Sequence, residues 1–303
     1  MKVVVSLGSS ALLKRGEPMD GKIQRKNLAR AATELAIIAR GHKVIVTHSS
    51  GPQAGLLAVK AEAYAQSQQY SLDVLHAEVE GMIGYMIQQE LNSILPKHPV
   101  VTLITQIEVN ENDPAFQEPN TPIGPTYSAE EAQRLARTHG WKLVAEGSKW
   151  RRVVASPEPV NLVELAWIRL LFHAGAVVVC AGGGGIPVVV SPTGAVRGVE
   201  AVIDKDLAAA LVARQVGADA LLLLTDVDAA YIGWGGNNPR PVRETMPSEL
   251  RKYPFAPGSM KSKVEAACRF VEATGGTAGI GALDEAAAIL NGEAGTFVKR
   301  LGG

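Results

Sequence analysis

The chain has 303 residues, of which 47% are hydrophobic and 20% charged, and this composition excludes a disordered chain and allows a large core. Thirty basic residues balance thirty acidic ones, so no basic surface for nucleic acid is expected, and aromatic residues at 5% are too sparse for a base-stacking platform. Two cysteines, Cys180 and Cys268, cannot form a disulfide framework and indicate a reduced, cytoplasmic protein.

Short apolar runs alternate along the chain with longer segments of helical periodicity. The predicted strands are residues 2–7, 43–47, 100–105, 176–180, 220–224 and 277–280. The predicted helices are residues 22–40, 71–95, 161–174, 204–215, 262–273 and 283–290. No apolar stretch approaches the roughly 20 residues that a membrane helix needs, so no membrane partner is expected.

This βαβα order is typical of the α/β class, with a mostly parallel sheet covered by helices on both faces. Two segments interrupt the alternation, a proline-rich insertion at 106–152 and an irregular excursion at 231–257. No long linker separates two halves, so we expect a single domain over 1–303 with a protruding lobe at 106–152. Ligands of such sheets bind outside the carboxyl ends of the strands.

Three of the predicted strands end in loops of small residues. They are Gly8-Ser9-Ser10 after the first strand, Ser49-Ser50-Gly51 after the second, and Gly182-Gly183-Gly184-Gly185 after the fourth. Glycine lets backbone approach a ligand closely, and N–H groups at a helix start bind anions. Any one loop is better explained as a tight turn, whereas three at one sheet edge favour a phosphate cradle.

The common nucleotide and metal motifs do not match. Gly16 and Gly21-Lys22 have the spacing of a P-loop, but Ile23 stands where Ser or Thr would hold Mg²⁺. Pro187 stands where the dinucleotide fingerprint needs its third glycine. The histidines and cysteines lack metal-ligand spacing, so no metal bound by the protein itself is expected.

The second half of the chain supplies charge. Lys205 lies between Asp204, a natural helix cap, and Asp206. A lysine at the positive end of a helix is disfavoured unless an anion compensates it, so an anion site and a surface salt bridge are equally good explanations. Lys263 also lies near a helix start, and residues 225–228 place two aspartates after a strand, where they suit nucleotide contacts or a turn. Lysines and glycine loops without a covalent nucleophile suit phosphoryl transfer.

Several blocks, in order along almost the whole chain, resemble carbamate kinase. They are GPQAGLL at 51–57, EGMIGY at 80–85, PIGP at 122–125, WRRVV at 150–154, GGGGIPV at 182–188, GVEAVIDKD at 198–206, LTDVD at 224–228 and GSM at 258–260. The resemblance implies the amino-acid kinase fold, a three-layer αβα sandwich around a mostly parallel sheet. It also implies a cytoplasmic, usually homodimeric enzyme of arginine metabolism. Such an enzyme transfers a phosphoryl group between ATP and carbamate through carbamoyl phosphate, with Mg²⁺ carried by the nucleotide.

The resemblance also assigns roles to individual residues. It implies that Lys205 neutralises the transferred phosphoryl group, that Asp206 orients the catalytic lysines, and that Lys263 contacts the nucleotide phosphates. On the C-terminal, nucleotide side, the implied ATP/ADP contacts further include Asp226, Val227, Asp228, Tyr231, Ser259 and Met260. On the N-terminal, acyl-phosphate side, the implied contacts are Gly8, Ser9, Ser10, Ser49, Ser50, Gly51, Thr121, Gly182, Gly183 and Gly184.

The chain departs from the family pattern on the acyl-phosphate side. The first loop of the family usually reads Gly-Gly-Asn-Ala, and residues 8–11 read Gly-Ser-Ser-Ala. The second usually reads His-Gly-Asn-Gly, and residues 48–51 read His-Ser-Ser-Gly. In each loop two serines thus replace a glycine and an asparagine. Thr121 replaces the lysine that commonly precedes Pro-Ile-Gly-Pro. Two alternatives therefore stay open, a kinase of another small carboxylate or carbamate-like acid, and a non-catalytic ATP-binding sensor.

Overall fold

The computed structural model describes residues 1–14, 16–50, 53, 55, 57, 70–236, 238–255 and 259–300. The described strands, in chain order, are β1 (Lys2–Leu7), β2 (Lys43–His48), β3 (Val100–Thr102), β4 (Gln106–Val109), β5 (Thr121–Tyr127), β6 (Lys142–Glu146), β7 (Lys149–Val154), β8 (Pro159–Leu162), β9 (Val177–Val179), β10 (Ile186–Val190), β11 (Val196–Gly198), β12 (Ala220–Thr225), β13 (Ala230–Ile232), β14 (Arg240–Val242), β15 (Glu244–Thr245), β16 (Thr277–Ala282) and β17 (Thr296–Val298).

The described helices follow the same chain order. They are α1 (Gly21–Ala39), α2 (Leu72–Ile94), α3 (Ala129–His139), α4 (Leu165–His173), α5 (Lys205–Val216), α6 (Pro247–Leu250), α7 (Ser259–Thr274) and α8 (Ala286–Leu290). No helix among the described residues is both long enough and apolar enough to cross a membrane.

An eight-stranded sheet forms the centre of the molecule, in the order β15-β17-β16-β12-β1-β2-β9-β3. Its neighbouring strands run parallel except at β16 and β17. Alternate residues of the strands point to opposite faces, so Val4 joins the core beneath α4, α5 and α7, whereas Val3 and Val5 join the core beneath α1, α2 and α8. The predicted α/β class and three-layer arrangement are confirmed.

Two smaller sheets extend this body. The order β11-β10-β4-β8 forms a second sheet, and β5-β7-β6 form a third, antiparallel one covered by α3. Ser128 caps α3 by accepting the Glu131 N–H group, and Leu135 of α3 is fully buried. Of the insertion predicted at 106–152, Gln106–Val109 belongs to the second sheet, and the separate lobe is formed by the segment from Thr121 to Val154.

Two element predictions were wrong. The helix predicted over 161–174 begins at Leu165, because Pro159–Leu162 is extended and pairs with β4 as a strand. The excursion at 231–257, predicted as irregular, contains the antiparallel pair β13 and β14 and the short helix α6. In the first segment, pairing with a distant strand overrides the local pattern, whereas β13 and β14 pair with each other across a short connection.

Parallel strands at the middle of the central sheet carry the candidate site. β12, β1, β2 and β9 are consecutive neighbours and end at Thr225, Leu7, His48 and Val179. The segments that follow them therefore meet at one edge of the sheet. That edge is the place where sheets of this class bind ligands.

Candidate active site

The first and third small-residue loops are built so tightly that they require glycine. A Cβ added to Gly8 would lie 2.6 Å from the Leu224 carbonyl oxygen, so the loop after β1 lies directly against the end of β12. A Cβ on Gly182 would lie 2.3 Å from the His48 ring, and one on Gly183 would lie 3.1 Å from Ser50 Cβ. The third loop thus lies against the second, and the three corners form one surface.

The third loop has an unusual backbone. Ala181, Gly183, Gly184 and Gly185 have φ angles of 51°, 70°, 102° and 80°, and Ala181 is a non-glycine residue in the left-handed region. Residues with side chains are strained in this backbone conformation, whereas glycine adopts it readily. Residues 182–184 form one turn of 3-10 helix whose backbone is buried.

Two lysines and an aspartate meet beside these corners. Lys205 Nζ lies 2.6 Å from Asp206 Oδ1, and Lys263 Nζ lies 3.0 Å from Asp206 Oδ2. Lys205 and Asp206 open α5, and Asp204 caps that helix by accepting the Asp206 N–H group at 2.8 Å. Lys263 comes from the first turns of α7. The structure therefore brings together the three residues that the sequence singled out as catalytic.

The cluster is buried and carries a net charge of +1, from two cations and one anion. The Lys263 and Asp206 side chains are 2% and 3% exposed, whereas Lys205 is 17% exposed. Burial alone would raise the pKa of Asp206, but Lys205 and Lys263 together lower it below its ordinary value. Burial, together with Lys263, lowers the pKa of Lys205 although Asp206 opposes this. An excess cation in such a site is stabilised by an incoming anion.

Ser6 is a member of the cluster that the sequence did not single out. Its hydroxyl lies in β1, 3.3 Å from Asp206 Oδ1 and 3.3 Å from Lys205 Nζ. In the sequence Ser6 is only a serine between the apolar residues Val5 and Leu7, and its complete burial becomes visible in the fold. Ser6 also links the cluster directly to the strand that carries Gly8.

The predicted nucleotide residues follow β12 and begin α7. Asp226 is exposed and accepts the Thr225 hydroxyl at 3.1 Å. Asp228 accepts the Tyr231 hydroxyl at 2.8 Å and the Arg243 guanidinium at 3.0 Å, and the Tyr231 bond, followed by Arg243, lowers the pKa of Asp228. Val227 and Met260 are half-buried, and the helix α7 begins at Ser259.

The lobe reaches the segment that follows the second loop. A Cβ added to Gly55 would lie 2.9 Å from Gly124 Cα, so β5 closely approaches this segment. Thr121 opens β5 and pairs with Val154 of β7. Gly51 lies outside the described residues. Ser9 is exposed and Ser10, Ser49, Ser50 and Thr121 are partly exposed.

A salt bridge connects the lobe to the body. Arg152 lies over the Trp141 ring, 4.2 Å from its centroid, and donates to Glu200 at 2.6 Å. Glu200 also accepts the Leu72 N–H group at the start of α2, at 2.8 Å. Through Glu200, Arg152 of β7 is therefore linked to the start of α2.

The donors near the lysines do not suit a resident metal ion. Within the described residues, no group of three or more His, Cys, Asp or Glu side chains could hold a metal. Both oxygens of Asp206, the carboxylate at the centre of the cluster, are engaged by lysines.

The family model for the amino acid kinase family matches residues 1–280. The chain belongs to the amino acid kinase family. Among curated relatives, the carbamate kinase of Rhizobium meliloti is 51% identical over 99% of this chain and 93% of its own. The carbamate kinase of Haemophilus influenzae is 45% identical over 99% of this chain and 97% of its own.

Solved structures show the same relationship. The carbamate kinase of Giardia lamblia bound to AMP-PNP superposes with a TM-score of 0.93 at 37% identity, covering 98% of both chains. The same enzyme bound to citric acid superposes with a TM-score of 0.89 at 38% identity, again over 98% of both chains. The resemblance to carbamate kinase and the expected fold are confirmed, and the chain is an ATP-dependent phosphotransferase of this family.

Proposed function

We propose that the protein catalyses reversible phosphoryl transfer between Mg·ATP and carbamate, with carbamoyl phosphate as the phosphorylated acid. The observation that carries this proposal is the buried Lys205–Asp206–Lys263 cluster with its net positive charge, placed beside three glycine corners at one sheet edge. The similarity to carbamate kinases over nearly the full chain supports the choice of acid.

The reaction requires charge neutralisation more than covalent chemistry. In the direction of ATP synthesis, an oxygen of the ADP β-phosphate attacks the phosphorus of carbamoyl phosphate, and the bond from that phosphorus to the carbamate oxygen breaks. Carbamate leaves as an anion, so no proton must be transferred. The transferred group carries spread negative charge in the transition state, and cations and N–H groups that are already in place stabilise it.

Each residue of the cluster has a distinct role in this reaction. Lys205, the most exposed of the three, contacts the transferred phosphoryl group. Asp206 holds both ammonium groups at hydrogen-bond distance, which fixes their positions before the substrate arrives. Lys263 contributes a second positive charge to the nucleotide phosphates. Mg²⁺, carried by the nucleotide, supplies further neutralisation of the phosphate oxygens when it is bound.

We place the nucleotide at the C-terminal half of the sheet edge. Asp226, Val227, Asp228 and Tyr231 follow β12, and Ser259, Met260 and Lys263 belong to α7, so both segments flank the same strand ends. The acyl phosphate occupies the N-terminal half, between Gly8, Ser9 and Ser10, Ser49, Ser50 and Gly51, the Gly182, Gly183 and Gly184 turn, and Thr121 of the lobe.

The hydroxyls on the acyl-phosphate side recognise the substrate differently from amides. A serine offers one donor, whereas an asparagine offers two donors and an acceptor. Lys205 is therefore the main cation toward the acyl phosphate, and the corners supply mainly N–H and O–H donors. We also propose a homodimer that works in the cytoplasm, in arginine metabolism, as the resemblance to carbamate kinase implies.

The deciding experiment supplies Mg²⁺, ADP and carbamoyl phosphate and follows ATP formation, in the wild type and in Lys205→Ala. Turnover that falls by about 100- to 1000-fold in the variant is the expected result, the range for removing a transition-state charge partner. ATP consumption with acetate or another small carboxylate, and none with carbamate, would show that the substrate is that acid and not carbamate. ADP binding without turnover on any acid would indicate a sensor and overturn the proposal.

A further inference from the structure

A carboxyl group lies beneath the third glycine loop, away from the cluster of lysines. Glu80 belongs to α2 and is 1% exposed, on the helix face that also buries Val79 and Ile83. A carboxyl group is costly to bury unless its oxygens accept hydrogen bonds. Glu80 therefore needs hydrogen-bond donors that offset the cost of burying its carboxyl group on an apolar helix face.

The partners of Glu80 are main-chain N–H groups at the start of the loop. Its Oε1 accepts the Gly182 N–H group at 2.9 Å, and its Oε2 accepts the Thr105 N–H group at 3.0 Å. The Thr105 hydroxyl in turn accepts the Ala181 N–H group at 3.1 Å. Two consecutive N–H groups of the loop, at 181 and 182, are thus held from one side by Glu80 and by the residue that Glu80 positions.

These hydrogen bonds hold a part of the backbone that has an unusual conformation. Ala181 has a φ of 51°, and the three glycines after Gly182 have φ between 70° and 102°, a conformation that a free glycine-rich chain adopts only as one of many. The opposite side of the loop is equally close-packed, because a Cβ on Gly184 would lie 2.2 Å from the Ile203 carbonyl oxygen. The loop is therefore held between the α2 carboxyl group and the segment that leads into Lys205.

We propose that Glu80 is a positioning residue for phosphoryl transfer, which fixes the backbone of the 181–185 loop from below without touching the substrate. This inference rests on the proposed function, because it takes the loop to be part of the phosphoryl-transfer site. Glu80 acts through Gly182 and Thr105, and its loss leaves the lysine cluster and the nucleotide residues unaltered.

The electrostatic surroundings of Glu80 agree with this role. Burial raises the pKa of Glu80 to about 8, although the N–H groups of Thr105 and Gly182 oppose the shift. Burial also lowers the pKa of His48, which packs on Gly182, to about 4. A carboxyl group has lone pairs on both oxygens in either protonation state, so it accepts both N–H groups, whereas a glutamine amide has only one accepting oxygen.

Glu80→Gln is therefore the informative substitution, since it keeps the shape and leaves one N–H group without an acceptor. Glu164→Gln is its matched control. Glu164 also accepts two donors, the Gln106 N–H group at 2.7 Å and the Gln106 amide at 2.8 Å, but both lie on the second sheet's strand β4. The two substitutions make the same chemical change, but only Glu80 bonds an N–H group of the glycine loop; Glu164 reaches Glu80 through its charge alone.

The experiment compares both variants with the wild type in the carbamoyl phosphate and ADP assay. We expect Glu80→Gln to lower kcat by 10- to 100-fold in both directions and to leave the Kd for ADP within twofold. Amide hydrogen exchange, followed by mass spectrometry, should become at least fivefold faster in a peptide covering 181–185. Glu164→Gln should keep kcat within twofold and leave the exchange of that peptide unchanged.

The possible failures are distinguishable. Full activity of a folded Glu80→Gln variant, or equal losses in both variants, would overturn the inference while the proposed function stands. A wild type that turns over no acid would overturn both. If Glu80→Gln does not fold, Thr105→Val decides: it removes the acceptor for the Ala181 N–H group, should lower kcat by three- to tenfold at constant Kd for ADP, and overturns the inference if kcat is unchanged.

Discussion

Asp206 is the side chain on which the electrostatics of the site depend. It is 3% exposed and separates two ammonium groups that would otherwise repel each other across a buried space. Removing one partner of a buried charge group leaves the others uncompensated, which is costly. The low pKa of Asp206 and the positions of Lys205 and Lys263 therefore depend on the same two ion pairs.

We predict that Asp206→Asn lowers kcat by about 100- to 1000-fold, the range for losing preorganised charge, while the KM for ADP rises far less. The reason is that both lysines lose the anion that holds them. Steady-state kinetics in the direction of ATP formation measure both constants. Asp204→Asn is the control, since asparagine caps a helix as well as aspartate does and should leave kcat within about twofold. Equal effects on kcat and KM would contradict the orienting role.

His76 gives the molecule a pH-dependent stability. It is buried in α2, neither of its ring nitrogens has a partner among the described residues, and burial lowers its pKa to about 4, although Asp73 and Glu200 oppose this. The unfolded chain accepts this proton near pH 6.5. The stability that neutral His76 contributes is therefore present above pH 6.5 and is lost as the pH falls toward 4.

We predict that His76→Leu reduces the loss of stability between pH 7.5 and pH 4.5 by about 2–3 kcal/mol relative to the wild type. Urea unfolding at a series of pH values measures the free energy of unfolding for both proteins. The difference between the two curves should be constant above pH 7 and change below pH 6.5. Curves that stay parallel down to pH 4.5 would show that His76 does not titrate as its burial implies.

Among whole elements, the 181–185 loop is closely constrained by its surroundings. Gly184 combines a φ of 102° with a backbone oxygen at 2.2 Å from an added Cβ, whereas Gly194 has a φ of 84° and nothing within 4 Å of an added Cβ. Substitutions at these two glycines therefore distinguish the effect of backbone strain alone, at Gly194, from strain combined with a steric clash, at Gly184.

We predict that Gly194→Ala costs about 1–2 kcal/mol of the free energy of unfolding, the cost of a left-handed alanine, and leaves activity intact. Gly184→Ala should cost about 2 kcal/mol more and abolish most of the activity, because the Ile203 carbonyl group must move. Chemical denaturation and the ATP-formation assay test both variants. Similar losses at the two positions would mean that the loop has room to adjust.

Six of the eight strands of the central sheet were predicted from the sequence, whereas β15 and β17 were missed. β1 matches the prediction to the residue, because a buried parallel strand is a continuous apolar run bounded by polar residues. β8 was missed because its four residues acquire their conformation from pairing with β4, which lies 50 residues earlier in the chain. Local pattern carries no information about such a partner.

The same contrast holds for the site. Lysines at helix starts are electrostatically unusual and drew attention to Lys205 and Lys263, while the catalytic roles of these two and of Asp206 came from the resemblance to carbamate kinase. Ser6 and Glu80 could not be assigned roles, since a serine in a strand and a glutamate in a helix are ordinary until the fold buries them. Their partners come from residues 25 to 200 positions away.

For the molecule as a whole, one side of the central sheet is bordered by exposed apolar side chains. β3 is an edge strand, and α2, which packs on it, exposes Tyr85 at 57%. On the opposite face of the sheet α4 packs on the neighbouring β9 and exposes Trp167 and Leu170 at 64% and 59%. Ile104, just after β3, is 45% exposed and lies near Gly81 of α2. Trp167 and Leu170, three residues apart on one helix, lie side by side, and an exposed apolar patch of this kind is typical of protein–protein interfaces.

We predict that this edge forms the contact in the proposed homodimer. The double variant Trp167→Glu and Leu170→Glu should sediment as a monomer at concentrations where the wild type is a dimer, because burying two carboxylates opposes association. Ile37→Glu, at an exposed apolar position of α1, is the control and should remain dimeric. Analytical ultracentrifugation measures the mass, and an unchanged dimer in the double variant would place the interface elsewhere.

The most direct test of the account is a crystal structure with AMP-PNP and Mg²⁺ bound. We predict that the Lys205 ammonium group lies within about 2.7–3.2 Å of a γ-phosphate oxygen, with Lys263 directed toward the same phosphates and Asp206 between the two lysines. A complex in which both lysines point away from the bound nucleotide would contradict it.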